Sequence, residues 1–416
     1  MEIVNPRCAG MDVHKRTVVC CAKVEGQKLT KTFNTYSSDL RDMGKWLSAL
    51  GVTTVVMEST GVFWKPIWNL LEAEFSSINM VLANAEFVKQ VPGRKTDVGD
   101  AEWLADLHCC GLIRGSRVPD RDERELIELL RARQRFLDEY GRHVLRIQKV
   151  LEGANCKLSN VVTDITGKAG MAVLKALVSG ESNAKKLQKL TDTGLKARPA
   201  EILRALEGSV RDHQRLLLSV ELKSLESIDE VISTLDVEVD KRLRPFEEVV
   251  QRLDAIPGIS KRNAQEILGY AGPTLENFKY SAELAAWAGL CPGNNISAGK
   301  SKNRKARRGN SWLKSVMVAA AWPAIRTKSS YFRELYHRKK ATRGSQKAIV
   351  AVAHSMLVTI FHMVKRGTTY RDLGPDYQKI RNRSQILQKR RNELSRLGYA
   401  IEVTDLLSPL ETAQSA

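Results

Sequence analysis

The sequence predicts two classes of structure in one chain, an α/β domain at the N-terminus and an all-helical remainder. Strand and helix patterns alternate over residues 1–118. Residues 120–152 and 201–244 contain no proline, and their apolar residues recur at the spacing of long amphipathic helices. Residues 249–366 continue with shorter helical segments, which complete the helical part.

The net charge is placed unevenly along the 416 residues. It totals +19, and 43% of the residues are hydrophobic, which indicates a globular protein. Residues 251–416 hold 29 Lys/Arg and 11 Asp/Glu, a difference of +18, whereas residues 1–250 hold 37 and 36, a difference of +1. A basic C-terminal part attached to a neutral remainder favours a polyanion partner, most simply nucleic acid.

Membrane insertion and a disulfide framework are not expected. The longest apolar segment, residues 348–361, is shorter than the ~18 residues of a spanning helix and contains three polar side chains. The seven cysteines form no C-x-x-C motif, so a zinc ribbon is not expected either, and a reducing cytoplasm fits. Among the histidines, His14 and His108 are interpreted as surface or packing residues rather than ligands.

The N-terminal elements can be placed one by one. The order is three strands, helix, strand, helix, strand and helix, which is the order of the RNase H-like fold. The strands are predicted at residues 6–13, 17–24, 28–33, 52–57 and 78–83, and the helices at 37–50, from 61 to about 74, and from Asp97 onwards.

Four acidic residues fall at informative places on these elements. Asp12 lies within the first strand and Glu58 at the end of the fourth, while Asp97 and Asp100 share one face at the start of the last helix. An isolated D-x-x-D is more often a capped surface helix, with Asp97 as its N-cap. Four carboxylates on this topology instead predict a site for Mg²⁺ or Mn²⁺, because a cation must offset their repulsion.

The helical part offers two alternatives and one motif. The long segments either pack on a single globular core or form an antiparallel arm that also dimerises the protein. Residues 256–260 followed by a helical pattern match a helix-hairpin-helix, in which the Gly258 turn and Ser260 would present backbone N–H groups to a phosphate. A Pro-Gly turn between helices is common, so this motif alone is only moderately specific.

A loop without helix-forming residues, 291–299, precedes a strongly basic run. A charge run is usually a solvated face. This one lies between two apolar helices and beside a Gly/Asn/Ser loop, which favours a hairpin that contacts phosphates. Its six basic residues are Lys300, Lys302, Arg304, Lys305, Arg307 and Arg308.

Several motifs together resemble one known family. They are Gly10-Met-Asp12-Val, Val56-Met-Glu58-Ser-Thr-Gly61, Gly93-Arg-Lys-Thr-Asp97-Val-Gly-Asp100, and Ala288-Gly-Leu-Cys-Pro292 with Ser297. In this order and spacing, over residues 6–330, the chain resembles the DEDD-type insertion-sequence transposases, in their subgroup of larger enzymes.

The resemblance implies an architecture. It comprises a RuvC-like, RNase H-like domain (1–118), a helical coiled-coil region (119–248), and a mainly helical transposase domain with the helix-hairpin-helix and the serine loop (249–366). The basic tail (367–416) matches no motif.

The resemblance also implies a mechanism. Ser297 would be the nucleophile that forms a phosphoserine link to DNA, and the four acids would hold Mg²⁺ at the scissile phosphate. The partners would be donor and target DNA, a structured guide RNA from the element, and further copies of the chain in a dimer or tetramer at the nucleoid. Ala298 departs from the family, which often has glycine after the serine.

Two other functions stay open. One is a RuvC-like nuclease or junction resolvase that uses water as the nucleophile, with Ser297 as a bystander. The other is a non-catalytic nucleic-acid-binding protein. From the residues alone Ser297 is a loop serine, and only the family motif gives it a catalytic role.

Overall fold

The computed structural model describes residues 3–59, 61–83, 97–191, 198–292, 295–297, 300–303, 309–381, 383–397 and 399. For residues 97–98, 295–297, 300–303 and six residues of the tail helices it describes the backbone alone. The chain forms two compact units, Met1–Arg124 and Glu125–Ala416.

The first unit is a six-stranded mixed sheet with helices on both faces. The strand order is β3-β2-β1-β4-β5-β6, and β1 pairs antiparallel with β2 but parallel with β4. The elements are β1 (Arg7–Val13), β2 (Thr17–Val24), β3 (Gln27–Asn34), α1 (Ser37–Ala49), β4 (Thr54–Glu58), α2 (Trp64–Glu74), β5 (Asn79–Ala83), α3 (Asp97–Cys109) and β6 (Gly115–Ser116). The predicted order is confirmed, and only the two-residue β6, too short for a periodic pattern, was missed.

The two faces of this sheet bury different side chains. Met11 and Met57 point to the face covered by α1 and α2, where they join a core of aliphatic and aromatic residues. On the opposite face, Cys21 packs with Ala101 and Ala105 of α3, and Val56 packs with Leu104 of the same helix. Alternation along each strand therefore sends Asp12 to the α3 face, since it follows Met11.

Helix α3 lies unusually close to β1 because Gly10 has no side chain. A Cβ built on Gly10 would stand 2.3 Å from the Ala101 carbonyl oxygen and 2.4 Å from the Ala105 nitrogen. Two residues before Gly10 on the same strand, the Cys8 thiol donates a hydrogen bond to the Ala105 carbonyl at 3.6 Å. The partner on α3 thus moves from Ala105 toward Ala101 as β1 advances, so the two elements run antiparallel.

The described residues of the second unit form helices and one short hairpin. Its elements are α4 (Arg121–Gly153), which begins in the first unit, α5 (Leu158–Val161), α6 (Lys168–Val178), α7 (Ala184–Lys189), α8 (Pro199–Ala205), α9 (Asp212–Leu243), a 3₁₀ turn (Arg244–Phe246), α10 (Glu247–Asp254), α11 (Lys261–Ala271), α12 (Ser281–Trp287), β7 (Asn295–Ser297), β8 (Lys300–Asn303), α13 (Ser311–Ala324), α14 (Tyr331–Arg343), α15 (Ser345–Arg366), α16 (Tyr377–Arg381) and α17 (Arg383–Arg396).

The long helices α4 and α9 pair antiparallel within one chain. Three polar contacts set the register, Glu125 with Arg242 at 2.9 Å, Arg133 with Asp236 at 3.0 Å, and His143 with Glu221 at 2.5 Å. One end of the pair joins the core of α10–α15, and the other builds a separate core with the short helices α5–α8. The expected antiparallel pairing is therefore present, but the two ends of the pair pack in separate cores rather than on one globular core.

Helix α15 corrects the expected length of the apolar segment. It spans 22 residues and is largely apolar, so by length and composition alone it could cross a membrane, the one described helix that could. The prediction that this segment is too short was wrong, because the helix extends beyond residues 348–361 at both ends. Nine of its residues, among them Ile349, Leu357 and Ile360, are buried in the core of the unit, as in the core helix of a globular protein.

We expect Gly10→Ala to destabilise the first unit, because its methyl group must displace the α3 backbone. The expected cost is about 1–3 kcal/mol, the usual penalty of overpacking. Calorimetric unfolding of the full chain measures it. Gly141→Ala is the matched control, since a Cβ there meets nothing within 4 Å and alanine favours the helix. Equal unfolding temperatures for Gly10→Ala and wild type would contradict the close packing of α3.

Candidate functional site

Two of the predicted acids lie side by side at the carboxyl ends of neighbouring parallel strands. Met11 of β1 pairs with Met57 of β4, and Asp12 and Glu58 are the next residues on each strand. Both are partly buried, and β4 ends at Glu58. Ligands of open α/β sheets commonly bind beyond the carboxyl ends of such strands.

The start of α3 lies over the same end of the sheet. Asp12 is two strand residues beyond Gly10, a rise of about 6.6 Å. Asp97 is four helix residues before Ala101, about 6 Å in the opposite chain direction. Because α3 is antiparallel to β1, its first turn stands level with Asp12. Asp100, in that turn, is half-buried, and the Asp97 side chain lies outside the described residues.

A histidine contacts the first of these acids. The His14 Nε2 atom lies 3.0 Å from the Asp12 Oδ2 atom, and the Asp12 side chain is only 13% exposed. The His14 backbone N–H donates to the Thr17 carbonyl at 2.9 Å, which closes the turn between β1 and β2. From the sequence, His14 was interpreted as a surface or packing residue, because it follows the end of β1 and its contact with Asp12 depends on the turn between β1 and β2.

The acids suit a hard cation by the chemistry of their donors. Carboxylate oxygens are the ligands that Mg²⁺ and Mn²⁺ prefer, and Asp12 and Glu58 both supply them. Among the described side chains no three His, Cys, Asp or Glu residues already form a closed metal-binding group. The predicted set includes Asp97, whose side chain is not among them.

The predicted serine lies on a short β-hairpin whose two ends meet. Ser297 of β7 pairs with Lys300 of β8. The Asn310 N–H donates to the Trp287 carbonyl at 2.9 Å, and a Cβ on Gly309 would stand 2.4 Å from the Gly289 nitrogen. The chain therefore leaves and rejoins the helical core at one point. The side chains of Ser297, Lys300 and Lys302, and all of Ala298, Arg304, Lys305, Arg307 and Arg308, lie outside the described residues.

Both segments described so far match transposase family models. A DEDD-type transposase model of the IS110 family matches residues 9–156, which include the four acids, and a model of the transposase IS116/IS110/IS902 family matches residues 250–337, which include Ser297. The chain belongs to the IS110 family of transposases. It is accordingly an enzyme that cleaves and recombines DNA.

A curated relative is similar over most of both chains. It is "Putative transposase y4pF/y4sB" of Sinorhizobium fredii (strain NBRC 101917 / NGR234), 24% identical over 340 residues. The alignment covers 80% of the present transposase and 78% of the relative. The similarity thus extends through the helical segments between the two matched regions.

In this transposase one side of the predicted phosphate-binding turn, at Gly258, packs against helix α13. Gly258 adopts a φ of +87°, and a Cβ there would stand 2.3 Å from the Ala320 carbonyl oxygen of α13. The Ser260 hydroxyl caps α11 by accepting from the Asn263 N–H at 3.3 Å. The first cation of α11, Lys261, pairs with Asp240 of α9 at 3.0 Å. The turn is therefore tied to two other helices of its unit.

A buried arginine that was not predicted from the sequence holds α4 against α9 and α11. Arg133 is fully buried and donates hydrogen bonds from Nη1 to Asp236 at 3.0 Å and to Gln265 at 2.8 Å. Glu266 lies 3.7 Å from its Nη2, and burial raises the pKa of that carboxyl although Arg133 acts in the opposite direction. An arginine seven residues after Leu126, on the apolar face of α4, was the available indication.

Proposed function

We propose that this transposase cleaves and rejoins donor and target DNA with a metal-binding set of four acids and with Ser297 as the nucleophile. The observation that carries the proposal is the adjacent placement of Asp12 and Glu58 beneath the first turn of α3. The strand order β3-β2-β1-β4-β5 supports an RNase H-like, RuvC-like fold for the first unit. We keep the four-part division at residues 118, 248 and 366 as part of the proposal.

Asp12, Glu58, Asp97 and Asp100 would hold the Mg²⁺ or Mn²⁺. Such an ion polarises a phosphate and stabilises the leaving oxygen. Asp12 and Glu58 stand at the carboxyl ends of β1 and β4, which would let them position the ion together with the acids of α3. His14 restrains Asp12 through the 3.0 Å contact, so this carboxylate is oriented before metal and DNA arrive.

Neutralising these acids should abolish cleavage without unfolding the protein. For Asp12→Asn and Glu58→Gln we expect undetectable DNA cleavage and loss of the rise in melting temperature that Mn²⁺ gives the wild type. Glu102→Gln is the matched control, a half-exposed acid of α3 near Thr30 and Lys28. Full activity of either site variant, or of the wild type in excess chelator, would refute the metal site.

Ser297 would act on the DNA backbone itself. Its Oγ forms a bond to phosphorus, the bond from phosphorus to one strand's ester oxygen breaks, and that oxygen takes up a proton as it leaves. The serine proton passes to a base, since serine is a weak nucleophile at neutral pH. Attack of a second DNA hydroxyl on the phosphoserine then releases Oγ and joins the new strand. The hairpin supports this role because its ends are fixed at Trp287 and Asn310.

Ser297→Ala should retain DNA binding but lose the covalent protein–DNA adduct on a denaturing gel. Ser301→Ala is the matched control, because it removes a hydroxyl from the facing strand of the same hairpin. Ser297→Cys is expected to leave at most a trace of adduct. If Ser297→Ala still forms the adduct, or if the wild type yields only free 5′-phosphate ends, hydrolysis by a RuvC-like nuclease replaces the proposal.

The second macromolecular partner we propose is a structured guide RNA encoded by the element. The charge of +18 on residues 251–416 and the six basic residues after Ser297 support it. We expect RNA to copurify with the protein and to dissociate steeply with salt, because binding releases counterions. Sequencing of the bound RNA should return the non-coding end of the element. Protein that purifies free of nucleic acid at low salt would count against guidance.

The third proposal is self-association through the α4–α9 pair, which would place a dimer or tetramer on nucleoid DNA. Exposed apolar side chains support it, since Leu145 of α4 and Val220 of α9 lie at the same level of the pair and Leu216 is 66% exposed one turn away.

We expect Leu216→Glu/Val220→Glu to convert the assembly to monomers in light scattering. Val237→Glu, a change at another exposed apolar residue of α9, should leave it intact. A monomeric wild type, with or without RNA, would remove the proposal.

A further inference from the structure

A second basic surface lies outside the segments that the transposase models match. It occupies the corner between α14 and α15, and its members are Arg338, Lys339, Lys340, Arg343 and Lys347. The second family match ends at residue 337, immediately before it. We call these five residues the corner patch. All but Lys339 are exposed, and Lys339 is half-exposed.

The corner patch has no acidic counterpart among the described residues. None of its five cations forms an ion pair there, and only Lys340 has a side-chain contact, 5.8 Å above the Tyr336 ring. Helices α13 and α15, which pack together, contain no acidic residue, and Glu334 is the single acid of α14. By contrast, Lys261 and Arg262 on α11 are paired with acids of α9. Within the part of the chain that the structure describes, the corner patch is thus a concentrated positive charge without an ion-pair partner.

The corner that carries the patch is firmly built. The Tyr336 hydroxyl hydrogen-bonds to the Ser345 hydroxyl at 2.8 Å, which joins the two helices across the turn. The buried Tyr336 ring also packs edge-on against Trp322 of α13 at 6.2 Å. Gly344 makes the turn with a φ of +78°, and the space where its Cβ would lie is open. The cations are therefore displayed on a fixed scaffold with room for a ligand beside the backbone.

We propose that the corner patch binds the phosphate backbone of duplex DNA, independently of base sequence. Four cations near the end of α14 and one near the start of α15 are more than a single phosphate needs. They suit a polyanion such as DNA, which carries one charge per about 1.7 Å of its axis. The proposal rests on the proposed function only in taking DNA as the partner. Its role is to hold DNA flanking the cleaved phosphate, since backbone contacts position a duplex without specifying sequence.

The test uses the full chain and compares two pairs of neutralised cations, one at the corner where α15 begins and one at the far end of α15. Arg343→Gln/Lys347→Gln removes two cations of the corner patch, and Lys365→Gln/Arg366→Gln removes two exposed cations at the far end of α15. Both lower the net charge equally. Binding to two duplexes of unrelated sequence is followed by fluorescence anisotropy between about 50 and 200 mM salt, a range over which phosphate contacts change affinity strongly.

We expect the corner pair to lower affinity for both duplexes by about 10-fold or more near 0.1 M salt, and to reduce the salt slope by about 1.8, which is two phosphate contacts at ~0.9 each. The far-end pair should stay within about twofold of wild type. Arg338→Gln/Lys340→Gln should repeat the corner result with an unchanged melting temperature, because the substituted residues are exposed.

Three outcomes would overturn the proposal. Equal affinity of the two pairs would show that the corner patch does not bind DNA, while leaving the acids and Ser297 untouched. Loss of affinity for an RNA duplex or for anionic lipid vesicles, with DNA binding retained, would assign the patch to another partner. A wild type that fails to bind DNA at all would contradict the proposed function as well, so the two failures are distinguishable.

Discussion

The contact between Gly10 and the backbone of α3 determines where this transposase can place its acids. Any other residue at position 10 would force Ala101 and Ala105 away from β1, since a Cβ would stand 2.3–2.4 Å from their backbone atoms. With glycine, α3 lies directly on the strand and runs against its direction, so its first turn covers the carboxyl ends of β1 and β4. Asp12 and Glu58 depend on this packing to lie near the start of α3.

In the helical unit, polar contacts rather than close backbone packing hold the long helices against the core. Arg133, fully buried, bonds to Asp236 of α9 and Gln265 of α11, and so fixes the end of the long helix pair to the core beneath the serine hairpin. Removing one partner of such a buried group costs several kcal/mol, because the other is left unpaired. The hairpin leaves and rejoins that core at Trp287 and Asn310. The packing of that core therefore determines where the hairpin with Ser297 is attached.

The sequence predicted the secondary-structure elements more completely than the contacts between side chains. Alternation and helical periodicity located the five long strands, α3 and the two long helices, and strand order placed Asp12 and Glu58 together. Period and motif did not predict the His14–Asp12 contact, because it depends on the turn geometry between β1 and β2. Arg133 was not predicted, because an arginine on the apolar face of a helix normally extends its charged group into solvent. The length of α15 was underestimated because polar residues at its ends, such as Ser345 and Arg366, end the apolar run of the sequence although the helix continues through them.

The most direct test of the account is the position of a bound metal. Crystals of the full chain grown with Mn²⁺ and DNA should show an anomalous peak within coordination distance of carboxylate oxygens of Asp12 and Glu58, with Asp97 or Asp100 completing the set. Such a peak would establish that β1, β4 and α3 converge on one ion. An occupied Mn²⁺ site elsewhere, with these carboxylates free of metal in a complex competent for cleavage, would contradict it.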